Sequence, residues 1–145
     1  MEKHFNSDTE QMNQIETLTY MVGQLALPET PFLDVIYKEE GATVYLIHDG
    51  DELILHAEVE GKITHNRLKH FDRIFLAIVL GLIERGLDHI VAWVPVDQGN
   101  LNFASYFGFE ELNTIRVLPQ LDSSKKMLRE MIYIFPKDDD DQENT

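Results

Sequence analysis

The sequence reads HIVAWVPVDQGNLNFASYFGFE over residues 89–110, and this stretch decides the fold. Its first six residues, 89–94, are mostly apolar and predict a short strand of the kind that is buried at the centre of a sheet. Residues 95–99 break this pattern, and residues 100–107 then predict a short helix. Gly108 is suited to end that helix, because glycine adopts the left-handed conformation without strain. The stretch therefore predicts a central strand, a turn, a short helix and a return to extended chain.

Upstream of this strand, residues 66–85 predict a long and deeply buried helix that packs on the sheet. Apolar side chains recur at helical spacing on one face of it, and further apolar residues widen that face into a broad arc. Gly86 follows the last periodic residue and predicts the end of the helix. A long helix between two strand regions implies a crossover connection.

Three β-rich runs precede the long helix, at residues 32–37, 43–48 and 52–59. The sequences between them are Glu40-Gly41 and Asp49-Gly50-Asp51, and Asp-Gly between strand-like runs is a strong hairpin signal. These runs predict an antiparallel meander.

The two ends of the chain complete the pattern. Residues 8–25 predict a helix, with Asp8 and Gln11 in the spacing of a capping box. Residues 114–118 and 131–135 predict the closing strands. The whole pattern predicts an α/β (α+β) fold with a mixed, mostly antiparallel sheet of about six strands flanked by helices.

The charge of the chain is strongly acidic and unevenly distributed. Of the net charge of -14, residues 1–60 contribute -11, residues 61–137 contribute +2 and residues 138–145 contribute -5. We predict one domain over residues 1–137, a polar loop around residues 122–126 and an acidic, disordered tail over 138–145. Direct nucleic-acid binding is disfavoured, because phosphate contacts require clustered positive charge. A protein partner with a basic surface is the better match.

Several function classes have little support in the sequence. The most apolar run, residues 74–83, is too short to span a membrane, and the first residues do not resemble a secretory signal, so we expect a cytoplasmic protein. Without cysteine there is no thiolate zinc site or cysteine nucleophile. Six histidines occur at no familiar metal-ligand spacing, and we expect no metal site.

Over nearly its whole length the chain resembles the GCN5-related N-acetyltransferases (GNAT). The resemblance rests on the element order, on residues 89–94, on Phe103-Ala104-Ser105-Tyr106-Phe107 with Gly108-Phe109-Glu110, and on the closing run 130–137. It implies an acyltransferase fold in which two parallel strands splay apart to admit the pantetheine of acetyl-CoA. In this chain those strands would end near Glu58 and Val94.

Two features that carry the chemistry of that family differ here. The family places a glycine-bearing phosphate loop before the long helix, whereas residues 61–70 read GKITHNRLKH, with no glycine after Gly61. The family's catalytic tyrosine corresponds to Ala104. Tyr106 is the nearest tyrosine, but it lies roughly 200° further around the helix and should point elsewhere.

The candidate site residues follow from the resemblance and from charge. Glu58 is the candidate general base and Tyr106 the candidate general acid. Basic residues cluster at the start of the long helix, where the helix dipole also favours an anion. The candidates for coenzyme binding are Lys62, His65, Arg67, Lys69 and Asn100.

Three functions remain open. The first is a GNAT-fold protein without catalysis that needs no cofactor and binds another protein. In outline, the chain resembles small phage-encoded GNAT-like proteins and internal virion proteins. The second is an acetyl-CoA-dependent N-acetyltransferase that acts on a basic amine. The third is an acidic inhibitor that imitates nucleic acid.

Overall fold

The computed structural model describes residues 14–25, 32–49, 52–117 and 127–136. Within these ranges the chain forms three helices and six strands. The helices are α1 over residues 14–24, α2 at His65–Glu84 and α3 at Gln98–Tyr106. The strands are β1 at Phe32–Glu39, β2 at Ala42–Asp49, β3 at Glu52–Val59, β4 at His89–Pro95, β5 at Glu110–Val117 and β6 at Met127–Ile134.

The six strands form one sheet in the order β1-β2-β3-β4-β6-β5. Every neighbouring pair is antiparallel except β3 and β4, which run parallel. Helix α2 is the connection between these two parallel strands, as the crossover prediction requires. The predicted fold class is confirmed, including the single parallel pair that the acyltransferase resemblance implies.

Most predicted elements agree with the structure to within two residues, but the last two strands begin earlier than predicted. Strand β5 begins at Glu110 and β6 at Met127. The register of β5 against β6 shifts between Glu111 and Ile115. This irregularity breaks the alternation of side chains between the two faces of the sheet, which is the pattern by which a strand is recognised in a sequence. The capping box of α1, the loop around residues 122–126 and the tail 138–145 lie outside the described residues.

The core has two parts, one on each face of the sheet. The larger part lies between the helices and the face that carries Leu46, Leu55 and Ala92, which we call the helix face. The smaller part consists of strand residues that alternate with these, among them Ile54 and Trp93, on what we call the second face. Trp93 is 1% exposed, and the Arg116 guanidinium lies over its ring at 4.2 Å.

Helix α1 packs closely against α2 on the helix face. A side chain added at Gly81 would lie 2.6 Å from the Thr19 carbonyl oxygen, so glycine is what permits this approach. The Thr19 hydroxyl donates a hydrogen bond to the Ala77 carbonyl at 3.0 Å, and the Arg85 guanidinium donates to the carbonyls of Val22 and Leu25. None of the described helices combines the length and the hydropathy needed to cross a membrane.

Candidate functional site

A slot opens where the parallel strands β3 and β4 separate. The structure describes every residue of both strands, and their ladder contains two residue pairs, Ile54 with Val91 and Leu55 with Ala92. Residues 56–59 and 93–95 continue as strands without pairing to each other. A cavity of about 510 Å³, which we call the slot cavity, lies at this divergence and is bordered by both strands. Its volume falls in the range typical of small-ligand sites.

The wall of the slot cavity is mainly apolar, because it is built from the core-facing sides of α2 and α3. The β3 strand contributes Ala57 and Val59, which are no longer paired to β4. Helix α2 contributes four apolar side chains: Phe71, Ile74, Phe75 and Ile78. An apolar chain of small cross-section is therefore the kind of ligand that the cavity can desolvate favourably.

A cluster of aromatic rings fixes the position of α3 beside the slot cavity. The Phe75 ring centroid lies 5.3 Å from that of Phe107 and 5.1 Å from that of Tyr133. Phe71 and Phe103 are 6.1 Å apart. Contacts of this kind contribute beyond the area they bury, and they hold α3 against α2.

The start of α3 presents polar groups to the slot cavity. Asp97 is the N-cap, and one of its carboxylate oxygens accepts a hydrogen bond from the backbone amide of Asn100 at 2.8 Å. The Asn100 side chain donates to the other carboxylate oxygen at 2.6 Å. Both residues border the slot cavity. The predicted coenzyme-binding residue Asn100 is thus placed at the cavity.

The two positions considered for the general acid differ in where they point. Ala104 borders the slot cavity, whereas Tyr106 is absent from its wall. The Tyr106 hydroxyl donates a hydrogen bond of 2.7 Å to the Asp72 carboxylate on α2. This hydrogen bond raises the pKa of Tyr106 and keeps the hydroxyl protonated. Tyr106 therefore joins α3 to α2 in the structure, and its role as an acid remains a prediction.

The loop between β3 and α2 is held from inside by Arg67. The guanidinium donates to the carbonyl oxygens of Lys62 at 2.7 Å and Glu60 at 3.0 Å, and reaches that of Gly41 at 3.5 Å. It also lies over the Phe71 ring at 5.3 Å. Arg67 therefore connects the β1–β2 turn, the loop and α2. If it serves a bound anion, it does so by holding the loop in shape.

Exposed basic side chains surround the first turn of α2. Thr64 is the N-cap and its hydroxyl accepts a hydrogen bond from the Arg67 amide at 3.2 Å. The side chains of Lys62, His65 and Lys69 are exposed, and α2 has no acidic residue in its first turn. The helix dipole adds to this positive charge. The predicted coenzyme-binding residues other than Asn100 are therefore grouped at one end of α2.

Three polar residues meet on the second face beside the slot. Glu58 accepts a hydrogen bond from the Tyr45 hydroxyl at 3.4 Å, and its other carboxylate oxygen lies 3.8 Å from His56 Nε2. His56 borders the slot cavity. Desolvation, and then the charge of Glu58, raise the pKa of Tyr45. Glu58, the predicted general base, is thus within reach of a histidine at the cavity wall.

A second polar group lies where β1 approaches α2. The His70 Nε2 atom is 3.3 Å from the Tyr37 hydroxyl and 3.2 Å from a carboxylate oxygen of Glu39. Tyr37 borders the slot cavity, and burial, followed by the charge of Glu39, raises its pKa. Tyr37 therefore contributes a protonated side chain to the cavity wall, and its hydroxyl lies against His70.

The sequence prediction missed His56 and Tyr37 as residues of the site. A signal for His56 was present, because His-x-Glu spacing on a strand places His56 and Glu58 on the same face. Nothing comparable marked Tyr37, which reaches the cavity because of how α2 packs. Within the part of the chain that the structure describes, no group of three or more possible ligands is placed to hold a metal ion.

Comparisons with known proteins add one structural likeness. No family model matches the sequence, and no curated protein sequence matches it significantly. A solved structure described as "putative acetyltransferase from Agrobacterium tumefaciens" aligns with a TM-score of 0.46 and 11% identity. The alignment covers 88% of this chain and 92% of the other. A similarity at this level says nothing about activity, substrate or partner.

Proposed function

We propose that this chain binds an acyl-CoA thioester, such as acetyl-CoA, in the slot between β3 and β4 and transfers its acyl group to a basic amine. The observation that carries the proposal is the divergence of the two parallel strands after Leu55 and Ala92 onto an apolar cavity. A sheet with a continuous ladder at this point would have had no room for a thioester arm.

The two ends of such a ligand match the two chemical environments of the site. The neutral, flexible pantetheine arm would lie in the slot, where the strand edges beyond the β3–β4 ladder, at residues 57–59 and 94–95, can hydrogen-bond to its amides. The diphosphate would lie at the first turn of α2, close to Lys62, His65 and Lys69. Asn100 would contact the ligand from the start of α3.

The transfer step requires few protein groups. The amine nitrogen attacks the thioester carbonyl carbon, the carbon–sulfur bond breaks, and the coenzyme leaves as a thiolate. His56 at the cavity wall accepts the proton from the amine, and the Glu58 carboxylate, 3.8 Å away, stabilises the resulting imidazolium. Holding amine and thioester together supplies much of the rate.

The departing thiolate has no conventional acid to protonate it. Ala104 occupies the wall where the family's tyrosine would stand, and the Tyr106 hydroxyl is bonded to Asp72 instead. Water would have to supply that proton. We therefore expect slow transfer, with the binding of the thioester better developed than its chemistry.

The position of the diphosphate can be tested by reversing one charge. We expect Lys62→Glu to weaken acetyl-CoA binding by about tenfold, because a carboxylate would face the phosphates across a short distance. Binding of S-acetylpantetheine, which has no phosphate, should not change. Isothermal titration calorimetry with both ligands provides the measurement.

The matched control is Lys38→Glu, which makes the same change of charge on β1 at an exposed position facing away from the helices. It should leave both affinities as they are. If Lys62→Glu weakens both ligands equally, or weakens neither, the diphosphate does not lie at this turn.

A second candidate function is favoured by the same missing acid. The chain would then be a GNAT-fold protein that has lost catalysis and binds a partner protein with a basic surface. A virion or accessory protein of a phage would fit that description. The orientation of Tyr106 towards Asp72, away from the cavity, supports it. The two candidates differ in one assay: release of free coenzyme thiol from acetyl-CoA in the presence of a panel of polyamine, peptide and aminoglycoside acceptors.

A further inference from the structure

The outward face of α2 carries an apolar stripe that the described residues do not cover. Leu76 is 57% exposed, Leu80 is 44% exposed and Ile83 is 42% exposed. At about 100° per residue, the three side chains fall within about 60° of one another around the helix and form a continuous row. We call this row the α2 stripe.

Single exposed apolar residues are ordinary, but a row of them on one helix face is not. The opposite face of α2 is already used, because Phe71, Ile74 and Ile78 are buried there. The third side of α2 contacts α1 through Ala77 and Gly81. The stripe is therefore surplus to the internal packing of the described residues, and it points to a partner.

Two opposite charges border the α2 stripe on the same flank. Arg73 lies one turn before Leu76, and Glu84 lies one turn after Leu80. They are eleven residues apart, which corresponds to about three turns plus 20°, so they project from the same side of the helix. Both are exposed, and neither makes an ion pair within the described ranges; the Glu84 carboxylate lies beside Gly23 at the α1 side of this flank. A partner helix should carry the opposite order of charges.

We propose that the occupant of the α2 stripe is the α2 stripe of a second copy of this chain, packed antiparallel. In a two-fold arrangement of two antiparallel helices, the same flank of each helix meets. The midpoint between Arg73 and Glu84 falls within the stripe. A two-fold axis through that point places Arg73 of each copy opposite Glu84 of the other, so the surface is self-complementary in both apolar contact and charge.

Other features of the molecule set the strength of this association. Three exposed side chains bury far less than the roughly 800 Å² per partner of a standard interface, so the dimer is weak. The net charge of -14 opposes association over long distances, but at about 0.15 M salt the repulsion is screened beyond roughly 8 Å. The α2 stripe faces away from the slot cavity, so the dimer and a bound ligand can coexist. This inference does not depend on the proposed function.

The test is sedimentation velocity of the full chain over a concentration series in about 0.15 M salt. The weight-average mass should rise from the 16.8 kDa of the monomer towards twice that value. Leu80→Asp should hold the protein at the monomer mass, because it places a charge in the centre of the α2 stripe. Circular dichroism of each variant checks that the fold is retained.

Charge reversal tests the antiparallel register. Arg73→Glu and Glu84→Arg should each weaken the dimer at least about threefold, because each places like charges opposite each other across the axis. The double variant should recover the natural affinity. A wild-type chain that stays monomeric at every concentration, or a dimer that is indifferent to Leu80→Asp, would overturn the proposal. A dimer that is indifferent to both single reversals would overturn it as well.

Discussion

Replacing Ala104 with tyrosine should raise the rate of acetyl transfer by about tenfold or more; a fully positioned acid or base contributes roughly 100-fold to 10,000-fold. Ala104 borders the slot cavity, so a side chain at this position extends from α3 towards the bound thioester. The new hydroxyl would give its proton to the departing thiolate, a role that water fills in the natural chain. The measurement is thiol release from acetyl-CoA with the best acceptor of the amine panel.

The control for this substitution is Ala104→Phe, which adds nearly the same bulk without the hydroxyl. It should reduce the rate or leave it unchanged, because the ring takes space in the slot cavity and donates nothing. Equal rates for the tyrosine and phenylalanine variants would show that protonation of the leaving group does not limit the reaction. The explanation for slow transfer would then be wrong.

Gly108→Ala should destabilise the fold by about 3 kcal/mol, with contributions from backbone strain and from overpacking. Gly108 has φ of 98°, a conformation that favours glycine, and it ends α3. A Cβ atom there would also lie 2.8 Å from the Tyr133 ring. That ring cannot move freely, because Phe75, Phe109 and Phe135 contact it. The free energy of unfolding from urea denaturation provides the measurement.

Gly86→Ala separates these two contributions. Gly86 has φ of 89°, but a Cβ atom there would meet nothing within 4 Å. This variant should therefore lose about 1–2 kcal/mol, the cost of the backbone conformation alone. If both variants lose the same amount, the contact with Tyr133 does not hold α3 in place, and the aromatic cluster is not what positions Ala104.

Local signals in the sequence were sufficient for much of the fold. The Asp49-Gly50-Asp51 signal predicted the hairpin between β2 and β3, whose pairing starts at Asp49 with Glu52. The periodicity of α2 located that helix to within one residue at each end. The start of β6 was missed because its first residues are stabilised from a distance, with the Arg129 side chain bonded to the Leu112 carbonyl and paired with Glu111.

The site was less predictable than the fold, for reasons that differ from residue to residue. Helical geometry alone predicted that Tyr106 would point away from the position of Ala104, and in the structure its hydroxyl donates a hydrogen bond to Asp72. The basic cluster at α2 was visible as charge, but the sequence could not show that Arg67 turns inward to three carbonyl groups. The place of His56 beside the cavity depends on where two distant strands separate, which is a property of the whole sheet.

The most direct test of acetyl-CoA binding in the slot is a calorimetric titration of acetyl-CoA into the natural chain and into Ala57→Phe. Ala57 borders the slot cavity beyond the last β3–β4 pair and is exposed, so a larger side chain can fill the slot without disturbing the core. Ala57→Ser is the control for a change at this position without added bulk.

We expect saturable binding to the natural chain with a dissociation constant on the order of 10 μM, equivalent to roughly 7 kcal/mol. Ala57→Ser should bind equally well, and Ala57→Phe should bind at least about tenfold more weakly, because the ring excludes the pantetheine arm from the slot. Absence of saturable binding to the natural chain at about 1 mM acetyl-CoA, or equal binding to Ala57→Phe, would contradict the claim that the slot is a coenzyme site.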